Sequence, residues 1–567
     1  GGPATPSGLS GESNTNTGNN LSRLPIVGWD SVGESRVGFA LYHNSRGTYE
    51  HEFGKGWSHT YDVRLTYTQG SSAIVRFADG LTAPYTETSG TFTPPAGLRS
   101  QLVRHGNGTW TMTHTDQTKF LFSSAGELSS VVDRFGNTVS ISRNGTKAVQ
   151  IACPSGRTLQ LAYTNGRVSS VTDPAGKVWT FAYNGSGQLT TVGYPTIAGS
   201  NPSRTFTYNA ADDILTETDL RGNVWTWTYD ADSRITSSKN PLNHTTSFSY
   251  TTSATTITLP GGQTVVHNYS SGLLASEVDP GGFSDAYTYN SQRDVLTYTD
   301  RRGKVWTLTY DANGNPLTVK NPLNKTWTYT YNAKNDVATA KDPLNNTTTN
   351  AYSAAGALTS VTDPLNRTVW TLAYDAYGQV LSATDALSRT TALTYNVNGD
   401  VATVTDAAGS ATTIAYNVMG QPTSVTNALG QATTYGYDAW NRPTSVTHPD
   451  SNVVSQAYDL EGNVTSTTNE LGKTRLYSYD AAHRLTGTTN PVGNAESYAY
   501  NSNGWLTSVT NARNHTRTYG YTSRGEVASL TLPDGAVEQW SYLASGQTSA
   551  YTSPIPHTVA YVYDDAG

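Results

Sequence analysis

The chain has one cysteine in 567 residues, Cys153, and two methionines. An internal disulfide is excluded, and with it any fold held together by a disulfide framework. A catalytic thiol needs a histidine partner in a pocket; Cys153, beside Pro154, reads instead as a small residue in a β-rich stretch. Charge is also scarce: Asp, Glu, Lys and Arg make up 14% of the chain, against about 25% in ordinary soluble domains. With 36 basic and 43 acidic residues, a net charge of -7 and no concentrated basic run, nucleic acid is not an expected partner.

No apolar run approaches the ~18 residues of a membrane helix, so no membrane span is expected. P-loop, Gly-x-Ser-x-Gly and His-Glu-x-x-His motifs are missing. The eleven histidines, His59, His114, His244, His267 and His515 among them, show no metal-ligand spacing and read as strand or turn residues. Asp230-Ala231-Asp232 and Asp564-Asp565 lack the spacing of a calcium loop. The residues therefore predict no catalytic group, no cofactor and no metal. The chain starts at Gly1 without a signal-peptide pattern, which suggests processing or a longer parent protein.

What the chain does have is Thr, Ser, Gly, Asn and Tyr, the composition of an extended polar β-surface. It also has a period. Tyr374, Tyr395, Tyr416, Tyr437, Tyr458, Tyr479, Tyr500, Tyr521, Tyr542 and Tyr563 stand 21 residues apart. Upstream, marker tyrosines at 163, 183, 208, 229, 250, 269, 289, 310, 331 and 352 follow at 19 to 25 residues. A fixed period of this length marks a stacked array in which no unit buries its own face. The widest gap, between Tyr183 and Tyr208, contains Gly193-Tyr194-Pro195-Thr196-Ile197-Ala198-Gly199. It reads as a loop insertion on one edge, where arrays of this kind often bind.

One unit, from Tyr310 to Tyr331, contains two turns and two strands. Asp311-Ala312-Asn313-Gly314 opens a type I turn with Asp and ends it with a left-handed Gly. Asn321-Pro322-Leu323-Asn324 does the same with Asn, Pro and a left-handed Asn. At the place of Asn324 other units carry Gly176, Gly222, Asn243, Asn345, Asn366, Gly409, Gly430, Gly472 or Gly493, and only Gly and Asn enter that region cheaply. At the turn start Asp173, Asp219, Asp342, Asp363, Asp385 and Asp406 alternate with Asn240, Asn321, Asn427, Asn469 and Asn490. A carboxylate that its amide can replace is a turn former, not an acid or base. The sequons Asn243-His244-Thr245, Asn324-Lys325-Thr326 and Asn366-Arg367-Thr368 fall on the same turns.

Alternation in the strands places Tyr435 with Tyr437, Tyr477 with Tyr479, Tyr498 with Tyr500, Tyr519 with Tyr521 and Trp540 with Tyr542 on one face, opposite Thr and Ser. Equal unit lengths predict aromatic ladders stacked from unit to unit. The 19 intervals from Tyr163 to Tyr563 give about 38 strands, a sheet roughly 180 Å long at ~4.8 Å per strand. A sheet of that length must coil, and coiled it surrounds a hollow.

Three segments are expected: residues 1–20, rich in Gly, Ser, Asn, Thr and Pro, as a flexible segment; 21–146 as an all-β head with degenerate repeats; and 147–567 as the regular array. The head carries Phe53-Gly54-Lys55-Gly56-Trp57-Ser58-His59 and Leu41-Tyr42-His43-Asn44-Ser45, aromatic enough to plug the sheet behind it.

The repeated Tyr-Asp-Ala-x-Gly turn, the Leu-Thr-Ser-Val-Thr-like strand, Asp-Pro-x-Gly/Asn and Thr-x-Tyr-x-Tyr resemble the Rhs/YD-repeat family. That family includes bacterial Rhs toxin carriers, shell subunits of insecticidal toxin complexes, and teneurins. The head motifs resemble the segment that precedes the repeats in many Rhs proteins. The resemblance implies an all-β fold, a long spiralling antiparallel sheet of two-strand repeats forming a hollow shell or β-solenoid. It also implies a non-enzymatic wall around a protein cargo or a C-terminal toxin region that this chain does not contain, in a secreted or cell-surface bacterial protein. Rhs carriers end in an aspartate autoprotease motif; Asp173-Pro174-Ala175-Gly176 and its equivalents sit at repeat turns and are not read as that motif. The residues leave two alternatives open, an extracellular filament or adhesin self-associating head to tail, and a carbohydrate-binding surface of exposed aromatics.

Overall fold

The computed structural model describes residues 10–32, 36–555 and 557–564. Among them are 55 strands and no helix. Forty-nine strands form one antiparallel sheet running from Arg64–Thr68 to Thr558–Ala560, each paired with its neighbour in sequence. The sheet closes on itself at its start: Arg64 bridges Glu127, and the Leu65 amide donates to the Gly126 carbonyl at 2.8 Å. Gly126 has φ +80° and a Cβ there would lie 1.8 Å from the Leu65 carbonyl oxygen, so only glycine permits this closure. Among the described residues no ladder joins the first strand to the last, and beyond the closure the sheet winds on as a spiral.

Local chemistry builds each unit. After Tyr310, the Asp311 amide donates to the Asn315 carbonyl at 3.0 Å and the Gly314 amide to the Asp311 carbonyl at 3.1 Å. The Asp311 carboxylate accepts the Asn313 and Asn315 amides at 2.8 and 2.9 Å. In the second turn, the Asn321 side-chain oxygen accepts the Lys325 amide at 2.8 Å. Gly314 and Asn324 have φ of 82° and 61°, and Gly409, Gly430, Gly472 and Gly493 lie between 68° and 85°. Amide and carboxylate are thus interchangeable acceptors at the turn start. Outward threonines pair across the strands, as in Thr309 with Thr318 at 2.7 Å.

The marker tyrosines link one unit to the next through their hydroxyls. Tyr395 donates to the Val380 carbonyl, Tyr416 to Val401, Tyr437 to Pro422 and Tyr458 to Pro443, each 15 residues back and at 2.7–2.8 Å. Tyr479, Tyr500, Tyr521, Tyr542 and Tyr563 continue the series at 2.6–3.0 Å. Tyr374 ends Thr368–Tyr374, a seven-residue strand in which the register shifts by one. Most hairpin registers also shift at the marker tyrosine, as between Thr394 and Tyr395, though the Tyr250 hairpin pairs without a shift. Stacked aromatic ladders are not what joins the units. Equivalent positions lie two strands, ~9.6 Å, apart, beyond the 4.5–7 Å range of ring contacts. Rings touch across hairpins instead, Tyr287 with Tyr298 at 5.4 Å and Trp540 with Tyr551 at 5.5 Å.

Ahead of the long sheet, Ser10–Asn14, Asn19–Asp30, Arg36–Asn44 and Trp57–His59 form a four-stranded sheet. Of the segment expected to be flexible, residues 1–9 lie outside the described residues. The rest departs from that expectation: Ser10–Asn14 pairs in register with 19–23, because its Ser and Asn serve as strand residues when a long partner strand lies beside them. Phe39, Leu41, Phe53 and Trp57 from this head pack with Trp179, Phe181, Phe206 and Trp227 from the inward face of the spiral in one core. The head is a plug inside the first revolution.

Tyr479→Phe removes the hydroxyl from the Val464 carbonyl and is expected to lower stability by about 1 kcal/mol in urea unfolding. Gly472→Ala, where no atom crowds the new Cβ, is expected to cost about 1–2 kcal/mol through its left-handed φ alone.

Candidate functional site

The two kinds of turn occupy opposite edges of the spiral, and successive revolutions meet along them. Turns of the Asp/Asn-Pro kind in the first revolution pack on tyrosine-following turns of the second, 195 to 264 residues later. Arg99 reaches Asp294 at 2.5 Å, Arg134 reaches Asp336 at 2.8 Å and Arg157 reaches Asp400 at 2.6 Å. Further along, Arg204 holds Glu217 and Glu461, each at 2.5 Å, with all three side chains at most 5% exposed. His483 sits 3.0 Å from Asp219, and Asn503 accepts the Gly261 amide at 2.6 Å. Most separations fall near 240–260 residues. At 21 residues per unit that is about 12 units, on the order of 24 strands and 115 Å of circumference per revolution. The loop at Tyr194 belongs to this seam. Its ring lies 5.6 Å from Trp440, whose indole donates to the Pro195 carbonyl at 2.8 Å.

The opposite edge of the first revolution is covered by the head. The Ile235 amide donates to the Gly18 carbonyl at 2.9 Å, Lys55 pairs with Asp212, and the Val168 amide donates to the Glu52 carbonyl at 3.0 Å. A buried ionic group anchors the plug: Asp62 is held by Arg64 at 2.9 Å and Arg76 at 3.1 Å, and His59 lies 3.3 Å from Glu52. Burial pushes the Asp62 carboxyl up, but His59, Arg76, His51 and Arg64 outweigh it and hold it at about 2. His43 is fully buried with neither ring nitrogen hydrogen-bonded. Burial lowers its imidazole to about 4, against a smaller upward pull from Asp212.

In the second revolution no plug covers the same inward face among the described residues. Trp306, Trp327, Tyr329, Leu393, Ile414, Tyr435, Tyr477, Tyr519 and Trp540 are half-buried there, where their counterparts Trp179, Phe181 and Phe206 are buried. A concave, mostly aromatic and aliphatic wall is left open to the interior.

The other sequence candidates have structural places. Cys153 begins turn 153–157 in the position that Asp173 holds in the next unit, with its amide on the Arg157 carbonyl at 3.1 Å. Its sulfur lies 3.5 Å from the Trp29 indole nitrogen and 2.9 Å from Ser155 Oγ. Burial pushes this thiol up, and bonds from Ser155, Ser31 and Trp29 outweigh that and lower it. His267 is bound by Thr15 at 2.8 Å. Asp230 accepts the Asp232 and Arg234 amides at 2.9 and 3.0 Å, as a turn former; Asp565 lies outside the described residues. Asn243, Asn345 and Asn366, like Gly176 and Gly222, carry positive φ in their turns. Among the described residues no three metal-ligating side chains converge. Sequence reasoning missed the seam residues Arg134, Arg157, Arg204 and Glu461. The one signal for them was Asp in place of Asn or Gln after the turn glycine, at Asp400, with Asp294 and Asp336 at the same turn position.

A repeat array wound into a plugged spiral is the class of protein that fold and seam define. The family model described as RHS Repeat matches ten stretches between residues 163 and 537, among them 374–411, 395–431, 416–453, 458–495 and 500–537; the ten together cover more than half the chain. The chain belongs to the RHS repeat family. A domain of unknown function (DUF6531) matches residues 14–85, the plug and the first sheet strands. No curated protein matches the chain. Among solved structures, the crystal structure of TcdB2-TccC3 without its hypervariable C-terminal region aligns with a TM-score of 0.54 at 11% identity, over 96% of this chain and 44% of that one. TcdB2-TccC3-Cdc42 aligns with a TM-score of 0.38 at 11% identity, over 94% of this chain and 47% of that one. A Photorhabdus luminescens Tc holotoxin pore gives 0.38 at 14% identity, over 92% and 31%. The chain spans less than half the length of these solved chains.

Arg204→Ala removes the cation from between buried Glu217 and Glu461 and is expected to cost about 3–5 kcal/mol in urea unfolding. For His43, whose folded pKa is depressed, stability is complete above about 6.5 and falls as the pH drops toward 4, by about 3 kcal/mol. Below 4 it falls no further on this account. Asp62 keeps its contribution through pH 4 and loses it only toward 2. His43→Gln is expected to flatten the fall between pH 6.5 and 4, read from urea unfolding at each pH.

Proposed function

We propose that the chain is a non-catalytic β-shell whose open second revolution encloses another polypeptide, as part of a secreted or cell-surface protein. The observation that carries this is the change of one face along one sheet. Where the head fills the spiral, the inward aromatics are buried in a packed core; one revolution on, equivalent residues line an open concavity. Trp, Tyr and Leu separated by Thr and Asn give broad contact with little charge, which suits an unfolded or partly folded chain of unspecified sequence. Glycan stacking has less support, because the aromatics face inward across a wall rather than outward. A head-to-tail filament has less support as well, because the tyrosine-turn edges are covered by the head and by the first revolution.

Single cysteines test the wall. With Cys153 buried, Leu393→Cys on the inner face and Thr394→Cys on the outer face are expected to react equally with a small maleimide. A maleimide carrying a large polyethylene glycol is expected to react much more slowly with the inner one. An unstructured polypeptide fused after Gly567 is expected to resist proteinase that digests the same polypeptide when free. Equal rates for the two cysteines would exclude an enclosing wall; equal rates of digestion would exclude polypeptide as the occupant.

A further inference from the structure

Among the described residues no strand ladder joins the head's four-stranded sheet to the long sheet. The head is seated by side-chain packing and by isolated backbone bonds, the Val168 amide to the Glu52 carbonyl and the Ile235 amide to the Gly18 carbonyl among them. It also covers Cys153 of the wall: the Trp29 indole donates to the sulfur at 3.5 Å, and the Ser155 amide donates to Ser31 Oγ at 3.4 Å. The wall, by contrast, is held by continuous ladders and tyrosine bonds. Charge placed in the seat therefore loosens the head before it loosens the wall.

Two histidines stand in that seat. His43 is fully buried, its ring centroid 5.0 Å from that of Trp57 in the head and 6.2 Å from that of Tyr208 in the wall, with neither nitrogen bonded. The charged group facing it is Asp212, which Lys55 already pairs. His51 lies at the rim of the seat, with Nε2 3.3 Å from an Arg76 guanidinium nitrogen and Nδ1 3.8 Å from Asp62. A guanidinium only donates, so Nε2 is the acceptor and the ring is neutral in this arrangement. Its charged neighbours are Asp62, Glu52, Arg64 and Arg76, with Lys147, Arg167 and the Arg167 partner Glu50 beside them. Asp62 and Glu52 are themselves engaged, by Arg64 and Arg76 and by His59.

We propose that the head is an acid-released closure: protonation of His43 and His51 lifts it from the first revolution as a unit while the wall keeps its strands. The proposal concerns the seat and holds whatever the interior contains. A proton on His43 charges a ring set among aromatic carbons, and a proton on His51 Nε2 sets an N–H against the Arg76 guanidinium. Both penalties disappear once the head is lifted and the rings meet water. Burial lowers the His43 imidazole to about 4. Burial lowers His51 as well; Asp62 and Glu52 pull it up, and Arg64 and Arg76 push it down. Groups lowered in the seated state stabilise it fully above about 6.5 and surrender that stability as the pH falls toward the lowered value. His43 alone then raises the ratio of lifted to seated heads on the order of 70-fold between pH 7.5 and 4.5. Asp62 keeps its charge through this range, so the titration that loosens the seat is that of the histidines.

The single cysteine reports the seat. Dithiodipyridine, which reacts with thiols in acid, is expected to label Cys153 of the full chain on the order of 70 times faster at pH 4.5 than at pH 7.5. Each rate is divided by that of the urea-unfolded chain at the same pH, and the far-ultraviolet spectrum is expected to stay unchanged. His43→Gln/His51→Gln is expected to give the same normalised rate at both pH values. Should that double variant fail to fold, His51→Gln alone, at the partly exposed rim, is expected to match the wild type at pH 7.5 and to label more slowly than the wild type at pH 4.5. Equal normalised rates for the wild type at the two pH values, labelling that comes only with loss of the strand spectrum, or a wild-type pH response in the histidine variants would each overturn the acid-released head.

Discussion

The structure depends on one hydrogen bond made again and again: a tyrosine hydroxyl donating to a backbone carbonyl 15 residues earlier. A sheet of two-strand units has a weak point where the ladder between one hairpin and the next has run out near the turn. The carbonyl exposed there, as at Val401 or Val464, is the one that the next unit's tyrosine caps. Because that tyrosine also ends a strand at a register shift, its ring lies over the turn it closes. Each unit is thereby tied to the one before it at a fixed offset, and the offset sets the period. A net worth of about 1 kcal/mol per bond is small, yet in an array stability accumulates through nearest-neighbour terms of this kind.

A sheet so tied has no reason to stop coiling, and where it meets itself the rules change. Within a unit the acceptors are amides as often as carboxylates, and the interactions are short-range. Between revolutions they are ion pairs and backbone contacts spanning some 250 residues, with Arg204, Glu217 and Glu461 fully buried. Desolvating three charges gains little stability, but leaving one out is costly, so such a group fixes which turn meets which. A slip of one unit along the seam would set Arg204 against the wrong turn. The charged seam is thus a register device laid over a uniform wall.

This division explains what the sequence disclosed. The left-handed glycines and asparagines, the equivalence of Asn321 and Asp311 as turn starters, and the inward tyrosines are local chemistry repeated many times, and each could be read from one unit. The seam is not contained in any unit. Which Arg meets which Asp depends on the circumference, the sum of many small rotations, and Arg157 looks like any surface arginine until the spiral has been closed. The pairing of Ser10–Asn14 was hidden for a related reason: a polar segment becomes a strand because a twelve-residue partner strand lies beside it. The aromatic positions were legible but their contacts were not, because alternation gives the face and only the strand spacing shows that neighbouring units hold their rings too far apart to stack.

Where the period is perfect, the residues are committed to the wall; information about assembly lies where it breaks or changes composition. The insertion puts Tyr194 and Pro195 into the seam against Trp440 and leaves Thr196, Ala198, Gly199 and Ser200 in solvent. More telling is the change along the Asp/Asn-Pro edge, from Arg134, Arg157 and Arg221 in the first revolution to Leu323, Leu344, Leu365, Leu387, Leu429 and Leu471 in the second. Turn geometry is the same in both, so it cannot demand the leucines. An edge that meets carboxylate-bearing turns is served by arginine. An edge lined with exposed leucine is suited instead to another apolar surface.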